Sequence, residues 1–565
     1  MGKRILIVGG VAGGASVAAR ARRLDESAEI IMFERGPHVS FSNCALPFHL
    51  SGVVEDSDDL VLMSPEQFKK QYNIIAKVKH EVIDIDKKNK TITVRDLVNN
   101  KDIVEAYDEL VLSPGANPIM PKSIQGIDLD HVFSVRNVVD IKKIQDYIDE
   151  HGVEDVVVVG GGFIGLEVAE NLKYAGKNVS LVEAADQVMI PLDLDMAQII
   201  HKEMYDKGVN LVVSDSVVEI TKDEVVLSSG KRIPAELVIM SIGVLPATEL
   251  AKKADLELGE TGAIKVNQHY QTSDPYIYAV GDAIEVYHKL TRKKTKLAMA
   301  GPAQRQARGA ADHIYGRLVH QKGVIGSSVV KVFDLNIART GLNEKECRTH
   351  GIDYQSVYII PNDMVGLMPD AKPLYFKLIF EDPTGLILGA QAIGEGAADK
   401  RIDVIAAMIT MNATLHDLAE LELAYSPLYS TAKDVVNMAA LVGLNVLNGE
   451  YEQVMVSEVR ELVESNAFIV DVREEEEFEQ GHLINSVNIP LSQFRERLDE
   501  IPKDRDVYLH CRSGQRSYNM TRALMQHGFE NVYNISGSFL GICLHEYFND
   551  QTTDRKKIVT KYNFN

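Results

Sequence analysis

The sequence predicts an α/β protein of several domains, and its patterning and length carry that prediction. Two glycine-rich turns, at residues 9–14 and 160–165, each stand between an apolar strand and a helix. A separate run of short strands and helices follows Gly449. A strand, turn, helix and second strand form a βαβ unit, so the first two patterns predict parallel sheets covered by helices. A chain of 565 residues is also longer than one hydrophobic core supports.

The charge and cysteine content limit the partners and the compartment. The chain carries 60 basic and 81 acidic residues, a formal charge of −21, which predicts binding to neither nucleic acid nor an anionic membrane surface. Its four cysteines are too far apart for a metal-binding pair or a disulfide framework. We therefore expect a reducing, cytoplasmic location and no metal site. The apolar stretch 5–19 is too short to span a bilayer.

The first βαβ unit runs from the strand at Ile5 to a second strand that ends at Glu34. Its turn opens a helix, so backbone N–H groups can meet a pyrophosphate while the Glu34 carboxylate accepts hydrogen bonds from ribose hydroxyls. Val11 stands where the middle glycine of a GxGxxG motif is expected. The residues predicted to contact this first dinucleotide are Gly9, Val11, Ala12, Gly13, Gly14 and Glu34.

The second unit, residues 156–183, has the full glycine pattern and predicts a second dinucleotide. Its strand ends at Glu183, which is followed by two alanines, so a carboxylate faces the ribose and no arginine is placed for a 2′-phosphate. NADH is therefore favoured over NADPH. The residues predicted to contact it are Gly160, Gly162, Phe163, Ile164, Gly165 and Glu183.

Two further segments, Leu112–Ala116 and Thr272–Asp282, complete an ordered set of motifs. With them the chain resembles the two-dinucleotide flavoprotein disulfide reductases. The resemblance implies FAD in the first unit, NADH in the second, and a homodimer. It also implies an FAD-binding domain at 1–115 and 245–325, an NADH-binding domain at 116–244, and an α+β dimerisation domain at 326–446. The further FAD contacts it implies are Ser113, Pro114, Gly115, Gly281 and Asp282.

The expected redox cysteine is Cys44. Two-cysteine reductases carry a CxxxxC pair near the flavin, whereas here the partner position is His49. A single thiol can hold a second sulfur or oxygen only as a mixed disulfide, a persulfide or a sulfenic acid. The sequence therefore points to small thiol-derived or peroxide substrates.

The segment SFSNCALP around Cys44 resembles the corresponding segment of coenzyme A disulfide reductases and coenzyme A persulfide reductases. This resemblance implies coenzyme A as substrate or ligand. It makes Tyr425, in the segment Glu422–Pro427, a candidate proton or hydrogen-bond donor to a leaving thiolate. The coenzyme A contacts that it implies are Ser16, Arg20, Arg23, Ser40, Asn43 and Lys433.

The C-terminal region has its own reactive cysteine, Cys511. The segments Asp471–Arg473, Gly481–Pro490 and Cys511–Ser517 resemble, in order, the motifs of single-domain rhodaneses. We expect a linker at 447–452 and an α/β rhodanese domain at 453–565, with a helix from Ser457 to Glu464. Four residues separate Cys511 from Arg516, a spacing that favours sulfur transfer over phosphoester chemistry. The loop that would cradle a persulfide is Arg512, Ser513, Gly514, Gln515 and Arg516.

The whole pattern predicts reduction of coenzyme A persulfide by NADH through FAD and Cys44, with Cys511 carrying sulfane sulfur. Several alternatives stay open: a coenzyme A disulfide reductase, an NADH oxidase or peroxidase, and a sulfurtransferase dominated by the rhodanese domain. The apolar segment Met364–Pro369 replaces a tyrosine-bearing segment of the disulfide reductases, which favours a smaller leaving group. Ala12 stands where the peroxidases keep a histidine, which weakens the peroxidase alternative.

Overall fold

A computed structural model describes residues 2–564. The first 324 residues combine βαβ units with runs of consecutive strands. In chain order they are β1 Arg4–Val8, α1 Ala12–Leu24, β2 Glu29–Glu34, α2 Pro47–Leu50, α3 Pro65–Tyr72, β3 Ile75–Val78, β4 His80–Asp86, β5 Thr91–Asp96, β6 Lys101–Ala106, β7 Glu109–Leu112, β8 Ala116–Pro118, β9 Val132–Ser134, α4 Val138–His151, β10 Asp155–Val159, α5 Phe163–Tyr174, β11 Asn178–Val182, α6 Leu194–Asp206, β12 Asn210–Val212, β13 Val217–Ile220, β14 Glu224–Leu227, β15 Arg232–Pro234, β16 Leu237–Met240, β17 Val244–Pro246, α7 Glu249–Lys253, β18 Ile277–Ala279, β19 Val286–Tyr287, β20 Lys294–Thr295 and α8 Ala300–Ile314.

The remaining residues form an antiparallel region and then a second α/β region. The elements are β21 Ser328–Val332, β22 Leu335–Gly341, α9 Glu344–His350, β23 Tyr354–Ile359, β24 Tyr375–Glu381, β25 Ile387–Gly394, α10 Ala398–Thr410, α11 Leu415–Ala419, α12 Val435–Leu447, β26 Glu452–Met455, α13 Val459–Glu464, β27 Phe468–Asp471, α14 Glu475–Glu479, β28 Val487–Asn488, β29 Val507–His510, α15 Gln515–Gln526, β30 Val532–Ser536 and α16 Ser538–Thr552. The helix predicted from Ser457 begins two residues later, because residues 456–458 form a 3₁₀ turn.

The chain divides into two compact units, and residues 1–184 with 215–324 make the first. It holds two parallel sheets. The first sheet has the order β18-β7-β1-β2-β3, and strands of the second follow the order β11-β10-β16-β9. The central strands β1 and β10 are almost fully buried, as expected of parallel strands with helices on both faces. The short ladder of β8 and β17 lies where the chain passes from the first sheet region to the second and back.

Residues 185–214 and 325–565 make the second unit. Its first sheet is antiparallel, with the order β21-β22-β25-β24-β23, and its second is parallel, with the order β26-β30-β29-β27-β28. The two sheet regions are joined by hydrogen bonds: the Tyr358 N–H donates to the Ser536 hydroxyl at 3.1 Å, and the Gln453 side chain donates to the Ser356 carbonyl at 2.7 Å.

Segment 185–214 lies within the range predicted for the NADH-binding domain, yet it packs as part of the second unit. A buried ion network accounts for this. The Lys377 ammonium on β24 lies 2.8 Å from Asp195 and 3.3 Å from Asp193, and the Lys377 side chain is only 2% exposed. Buried charges of this kind hold their elements together because separating them would leave an unpaired charge. Within residues 2–564, every helix is too short or too polar to cross a lipid bilayer.

Candidate functional site

The first glycine turn joins β1 to α1 through close backbone contacts. Gly9 has a φ of +93°, and a β-carbon there would lie 2.1 Å from the Ser113 carbonyl oxygen. A β-carbon at Gly14 would lie 1.8 Å from the Gly9 carbonyl oxygen. The Gly10 N–H donates to the Glu34 carboxylate at 3.0 Å. Helix α1 begins at Ala12, and its N-cap residue Val11 forms no side-chain capping hydrogen bond, so the N–H groups of the first turn are available to an anion.

The second glycine turn repeats this arrangement with one informative difference. A β-carbon at Gly165 would lie 1.9 Å from the Gly160 carbonyl oxygen, whereas one at Gly162 would meet no protein atom within 4 Å. Gly165 is therefore required by packing, and Gly162 is not. The Glu183 carboxylate accepts from the Gly161 N–H at 2.7 Å, and α5 also begins without a side-chain cap. Of the other predicted contacts, Phe163 is half-buried and Ile164 is exposed.

The crossover Ser113–Gly115 and the pair Gly281–Asp282 lie at neighbouring strand ends, because β7 and β18 are adjacent and parallel. The Gly281 N–H donates to the buried Gln306 side chain at 2.7 Å. Asp282 is half-buried, and burial raises the pKa of its carboxyl group, which Arg136 opposes.

Arg136, which no sequence motif marks, connects parts of this site. Its guanidinium donates to the Asn117 side chain and, at 3.4 Å, to the Pro114 carbonyl oxygen. Its own carbonyl oxygen accepts from the Asn43 amide at 3.5 Å. Burial lowers the pKa of Arg136. A lone arginine after a short strand is too common a feature to single out from sequence.

Cys44 lies in a 3₁₀ turn, residues 43–45, immediately before α2. The preceding loop is fixed by backbone bonds: the Ser40 N–H donates to the Gly10 carbonyl oxygen at 2.8 Å, and Ser40 has a φ of +49°. The thiol is free and partly open to solvent. The protein atoms on its inner side desolvate it and raise its pKa, and the carboxylates of Glu167 and Asp282 raise it further.

Glu167, on α5, is likewise not marked by any sequence motif. It is half-buried, and burial raises the pKa of its carboxyl group to about 7. A carboxyl group with that pKa can hold or release a proton at neutral pH, close enough to Cys44 to affect the ionisation of the thiol. It is one of two acids in a largely apolar helix, and this pattern carries no specific meaning before the fold is known.

The residues of α1 predicted to contact coenzyme A differ in their availability. The Arg23 side chain is exposed, and Ser16 is half-buried. The Arg20 guanidinium donates to the Asp312 carboxylate on α8 at 2.7 Å, so this side chain already helps to pack two helices.

In the second unit, Tyr425 is half exposed and the Lys433 side chain is exposed. A buried ion pair fixes the backbone next to Lys433: the Arg401 guanidinium lies 3.2 Å from the Asp434 carboxylate, and Arg401 is 1% exposed. In the apolar segment Met364–Pro369, Leu367 is 78% exposed. These residues thus lie at the surface of the unit, where a ligand or another chain can reach them.

Cys511 follows β29, as predicted, and starts a loop that leads into α15. The Gly514 N–H lies 3.1 Å from the Cys511 sulfur, and the Ser517 hydroxyl lies 3.6 Å from it. The Arg516 guanidinium forms two hydrogen bonds, at 2.6 and 2.8 Å, with the Glu477 carboxylate on α14. The loop therefore presents several hydrogen-bond donors to one sulfur atom, which suits a sulfur anion.

A buried layer supports this loop and joins two of the predicted motifs. The Arg473 guanidinium donates to the Asp471 carboxylate at 2.6 Å and to the Gly481 carbonyl oxygen at 2.7 Å. Burial alone would raise the pKa of Asp471, but His510 and Arg473 together lower it. The ion pair thus remains charged beside the end of β29, the strand that leads into Cys511.

Comparisons with known proteins cover nearly the whole chain. The profile of the pyridine nucleotide-disulphide oxidoreductases matches residues 3–307, that of their dimerisation domain matches 327–435, and that of the rhodanese-like domain matches 455–545. The crystal structure of reduced CoADR-RHD from Bacillus anthracis is 45% identical, with a TM-score of 0.94, and the match covers 98% of this chain and 99% of that one.

Two other relatives are named for different activities. An NAD-dependent persulfide reductase from A. fulgidus is 36% identical with a TM-score of 0.91, over 95% of this chain and 99% of that one. A coenzyme A disulfide reductase from Staphylococcus epidermidis is 35% identical over 436 residues, which is 77% of this chain and 98% of that protein.

The fold and the two thiol sites define a pyridine-nucleotide-dependent flavoprotein oxidoreductase that acts on a sulfur group. The chain belongs to the pyridine nucleotide-disulphide oxidoreductase family, and a rhodanese-like domain follows its dimerisation domain. The predicted fold class and the family resemblance are confirmed. Membership implies FAD and a pyridine nucleotide as cofactors.

Proposed function

We propose that this chain uses NADH and FAD to reduce coenzyme A persulfide, and related small persulfides, through Cys44. The net reaction is CoA-S-SH + NADH + H⁺ → CoA-SH + H₂S + NAD⁺. The observation that carries the proposal is the presence of two differently built thiol sites on one chain, one solitary and partly open, the other surrounded by hydrogen-bond donors. The similarity to the persulfide reductase from A. fulgidus supports it.

The residues present fit both cofactors. Two helices begin without side-chain caps after glycine turns, and each turn has a carboxylate at the end of the neighbouring strand. When bound, NADH and FAD supply the two electrons that the sulfur chemistry consumes. FAD would be held by Gly9, Val11, Ala12, Gly13, Gly14, Glu34, Ser113, Pro114, Gly115, Gly281 and Asp282, and NADH by Gly160, Gly162, Phe163, Ile164, Gly165 and Glu183.

Cys44 acts as the nucleophile. Its thiolate attacks a sulfur of the persulfide and forms either a mixed disulfide with coenzyme A, releasing hydrosulfide, or a persulfide on Cys44, releasing the coenzyme A thiol. Two electrons and the accompanying protons then cleave the new S–S bond and restore the thiol. Glu167 can hold or return a proton near Cys44, because its pKa is about 7.

We infer a homodimer in which coenzyme A lies near exposed cationic and polar groups. The dimerisation-domain match supports the dimer. Arg23 and Lys433 are the most available cations for its phosphates, since Arg20 already binds Asp312. Ser16, Ser40 and Asn43 would add polar contacts. Tyr425 would donate a hydrogen bond to a leaving thiolate.

Cys511 would carry sulfane sulfur, for example by Cys511-S⁻ + S₂O₃²⁻ → Cys511-S-S⁻ + SO₃²⁻. The hydrogen-bond donors around its sulfur would stabilise the negative charge of the product. The two thiols would then have different roles: Cys511 would transfer sulfane sulfur, and Cys44 would take part in reducing the persulfide. A reducing, cytoplasmic compartment is part of this proposal, because all four cysteines are free.

A second candidate is reduction of coenzyme A disulfide, the activity named for the relative from Staphylococcus epidermidis. The apolar, exposed segment Met364–Pro369 argues for the smaller substrate. It offers no side-chain hydroxyl to a bulky leaving thiolate.

The proposal is tested with Cys44→Ser and Cys511→Ser holoenzymes under anaerobic conditions, by following NADH and released sulfide with coenzyme A persulfide as substrate. We expect Cys44→Ser to lose NADH-dependent turnover by a factor of about 10³ or more, as nucleophile removal does. Cys511→Ser should keep that turnover but lose sulfur transfer from thiosulfate. Full turnover in Cys44→Ser would overturn the proposal.

A further inference from the structure

Ser538 is the first residue of α16, it is fully buried, and it adopts a φ of +50°. Residues with a side chain rarely adopt this left-handed conformation, which glycine accepts without strain. The preceding residue, Gly537, has a φ of +84°. The chain thus has a serine at a position where glycine would be less strained. This suggests that the serine hydroxyl has a function of its own.

The Ser538 hydroxyl binds the backbone of the reactive cysteine. It accepts from the Cys511 N–H at 3.2 Å and lies 4.0 Å from the Cys511 sulfur. The hydroxyl proton can be donated either to the Ile535 carbonyl oxygen, at 3.3 Å, or to the Cys511 sulfur. The next residue, Phe539, donates its N–H to the Cys511 carbonyl oxygen at 3.0 Å. The start of α16 therefore holds Cys511 at both backbone polar groups.

The same turn is fixed from its other side by the antiparallel sheet of the unit. The Ser536 hydroxyl accepts from the Tyr358 N–H at 3.1 Å and donates to the Tyr358 carbonyl oxygen at 3.3 Å. A β-carbon at Gly537 would lie 2.6 Å from the Tyr358 ring. These contacts leave the residue at 538 little freedom to move its hydroxyl away from Cys511.

We propose that Ser538 is a positioning residue for the Cys511 loop. Its hydroxyl fixes the Cys511 backbone, and its proton can turn from the Ile535 carbonyl oxygen to the sulfur when that sulfur carries a negative charge or a second sulfur atom. This inference rests on the proposed sulfur-transfer role of Cys511 and adds to it a residue outside the cysteine loop.

The test compares Ser538→Gly with wild-type full-length holoenzyme. Glycine keeps the backbone conformation, removes its strain and deletes only the hydroxymethyl group. We expect only a small change in the thermal unfolding midpoint, because relief of the backbone strain offsets the loss of the hydrogen bond from the Cys511 N–H. The kcat for sulfur transfer from thiosulfate to cyanide should fall about tenfold with an unchanged KM for thiosulfate, as expected for loss of one hydrogen bond to the reactive loop.

A second measurement does not need turnover. Cys511 is loaded with thiosulfate, and the mass gain of one sulfur atom is followed over time by intact-protein mass spectrometry. We expect the added sulfur to be lost several times faster from Ser538→Gly. The matched control is Ser465→Gly, an exposed serine of the same domain, whose hydroxyl donates to the Leu462 carbonyl oxygen at 3.1 Å and which should behave as the wild type.

Wild-type kcat and wild-type retention of sulfur in Ser538→Gly would overturn the inference, because the residue would then serve the backbone turn alone. Failure of the proposed function would look different. In that case Cys511→Ser would transfer sulfur as well as the wild type, and neither protein would show the added mass on Cys511.

Discussion

At the scale of single residues, the four cysteines differ in their surroundings. Burial raises the pKa of Cys347 and of Cys543 to about 12, so these thiols stay protonated and unreactive at neutral pH. Cys44 is partly open to solvent, and Cys511 is buried but meets several hydrogen-bond donors. The sequence already indicated this division, because motifs surround Cys44 and Cys511 and none surrounds the other two.

The pKa of Cys44 is raised by burial first and then by the carboxylates of Glu167 and Asp282. Glu167→Gln removes one of these charges at nearly constant shape. Since Glu167 titrates near pH 7, we expect the variant to differ from the wild type mainly above that pH. Alkylation of Cys44 by iodoacetamide at about pH 8 should become roughly two- to threefold faster.

The readout is the rate of carbamidomethylation of the Cys44 peptide, measured by mass spectrometry on the holoenzyme. Glu150→Gln, at an exposed position near the end of α4, is the control and should leave that rate unchanged. An unchanged or slower rate in Glu167→Gln would show that the carboxylate does not control the ionisation of Cys44.

At the scale of elements, the second glycine turn separates packing from ligand binding. Gly165→Ala would place a β-carbon 1.9 Å from a backbone oxygen, so the turn and α5 must shift. We expect it to destabilise the protein by about 2–3 kcal/mol, in the range of overpacked cores. Gly162→Ala meets no protein atom, and its φ of −81° suits alanine, so it should unfold as the wild type does.

If a pyrophosphate approaches the backbone at Gly162, the added methyl group should instead raise the KM for NADH by about tenfold or more. Thermal unfolding and NADH titration of the two variants separate these effects. A Gly162→Ala enzyme with wild-type KM would remove the assignment of NADH to this turn.

Helix α6 contains His201, whose ring is fully buried. It packs edge-on against the ring of Phe548 of α16, with 4.9 Å between the ring centroids. Burial lowers the pKa of His201 from 6.5 to about 3. Between these values the unfolded chain binds a proton that the folded chain does not, so stability is full above pH 6.5 and falls as the pH decreases. At pH 4.5 this lost contribution is about 3 kcal/mol.

His201→Gln removes the titrating group and can still accept from the Val188 N–H, which lies 3.1 Å from the imidazole. We expect its guanidinium unfolding midpoint to fall less between about pH 6.5 and 4.5 than that of the wild type. His320→Gln, an exposed histidine, is the control. Equal decreases in wild type and His201→Gln would contradict this explanation of acid sensitivity.

At the scale of the whole molecule, the order of domains could be predicted from sequence because each depends on a local pattern. The βαβ units follow from glycine turns between apolar strands, and the rhodanese domain follows from three ordered motifs. Contacts between distant segments could not be predicted in this way. Segment 185–214 packs on the second unit through Asp195 and Lys377, residues far apart in the sequence that carry no joint pattern.

The same limit applies to the candidate site. The proposed nucleophile, the glycines and the acids at strand ends could be selected from sequence because they lie in motifs with a defined spacing. Arg136, Glu167 and Ser538 could not, since each acquires its meaning from a neighbour brought close by folding.

The most direct test of the central claim is anaerobic NADH consumption by the wild-type holoenzyme with coenzyme A persulfide and, separately, with coenzyme A disulfide, while released sulfide is trapped. We predict a higher kcat/KM with the persulfide and one sulfide released per NADH consumed. A higher kcat/KM with the disulfide, or NADH consumption without matching sulfide, would contradict the claim that this chain is a persulfide reductase.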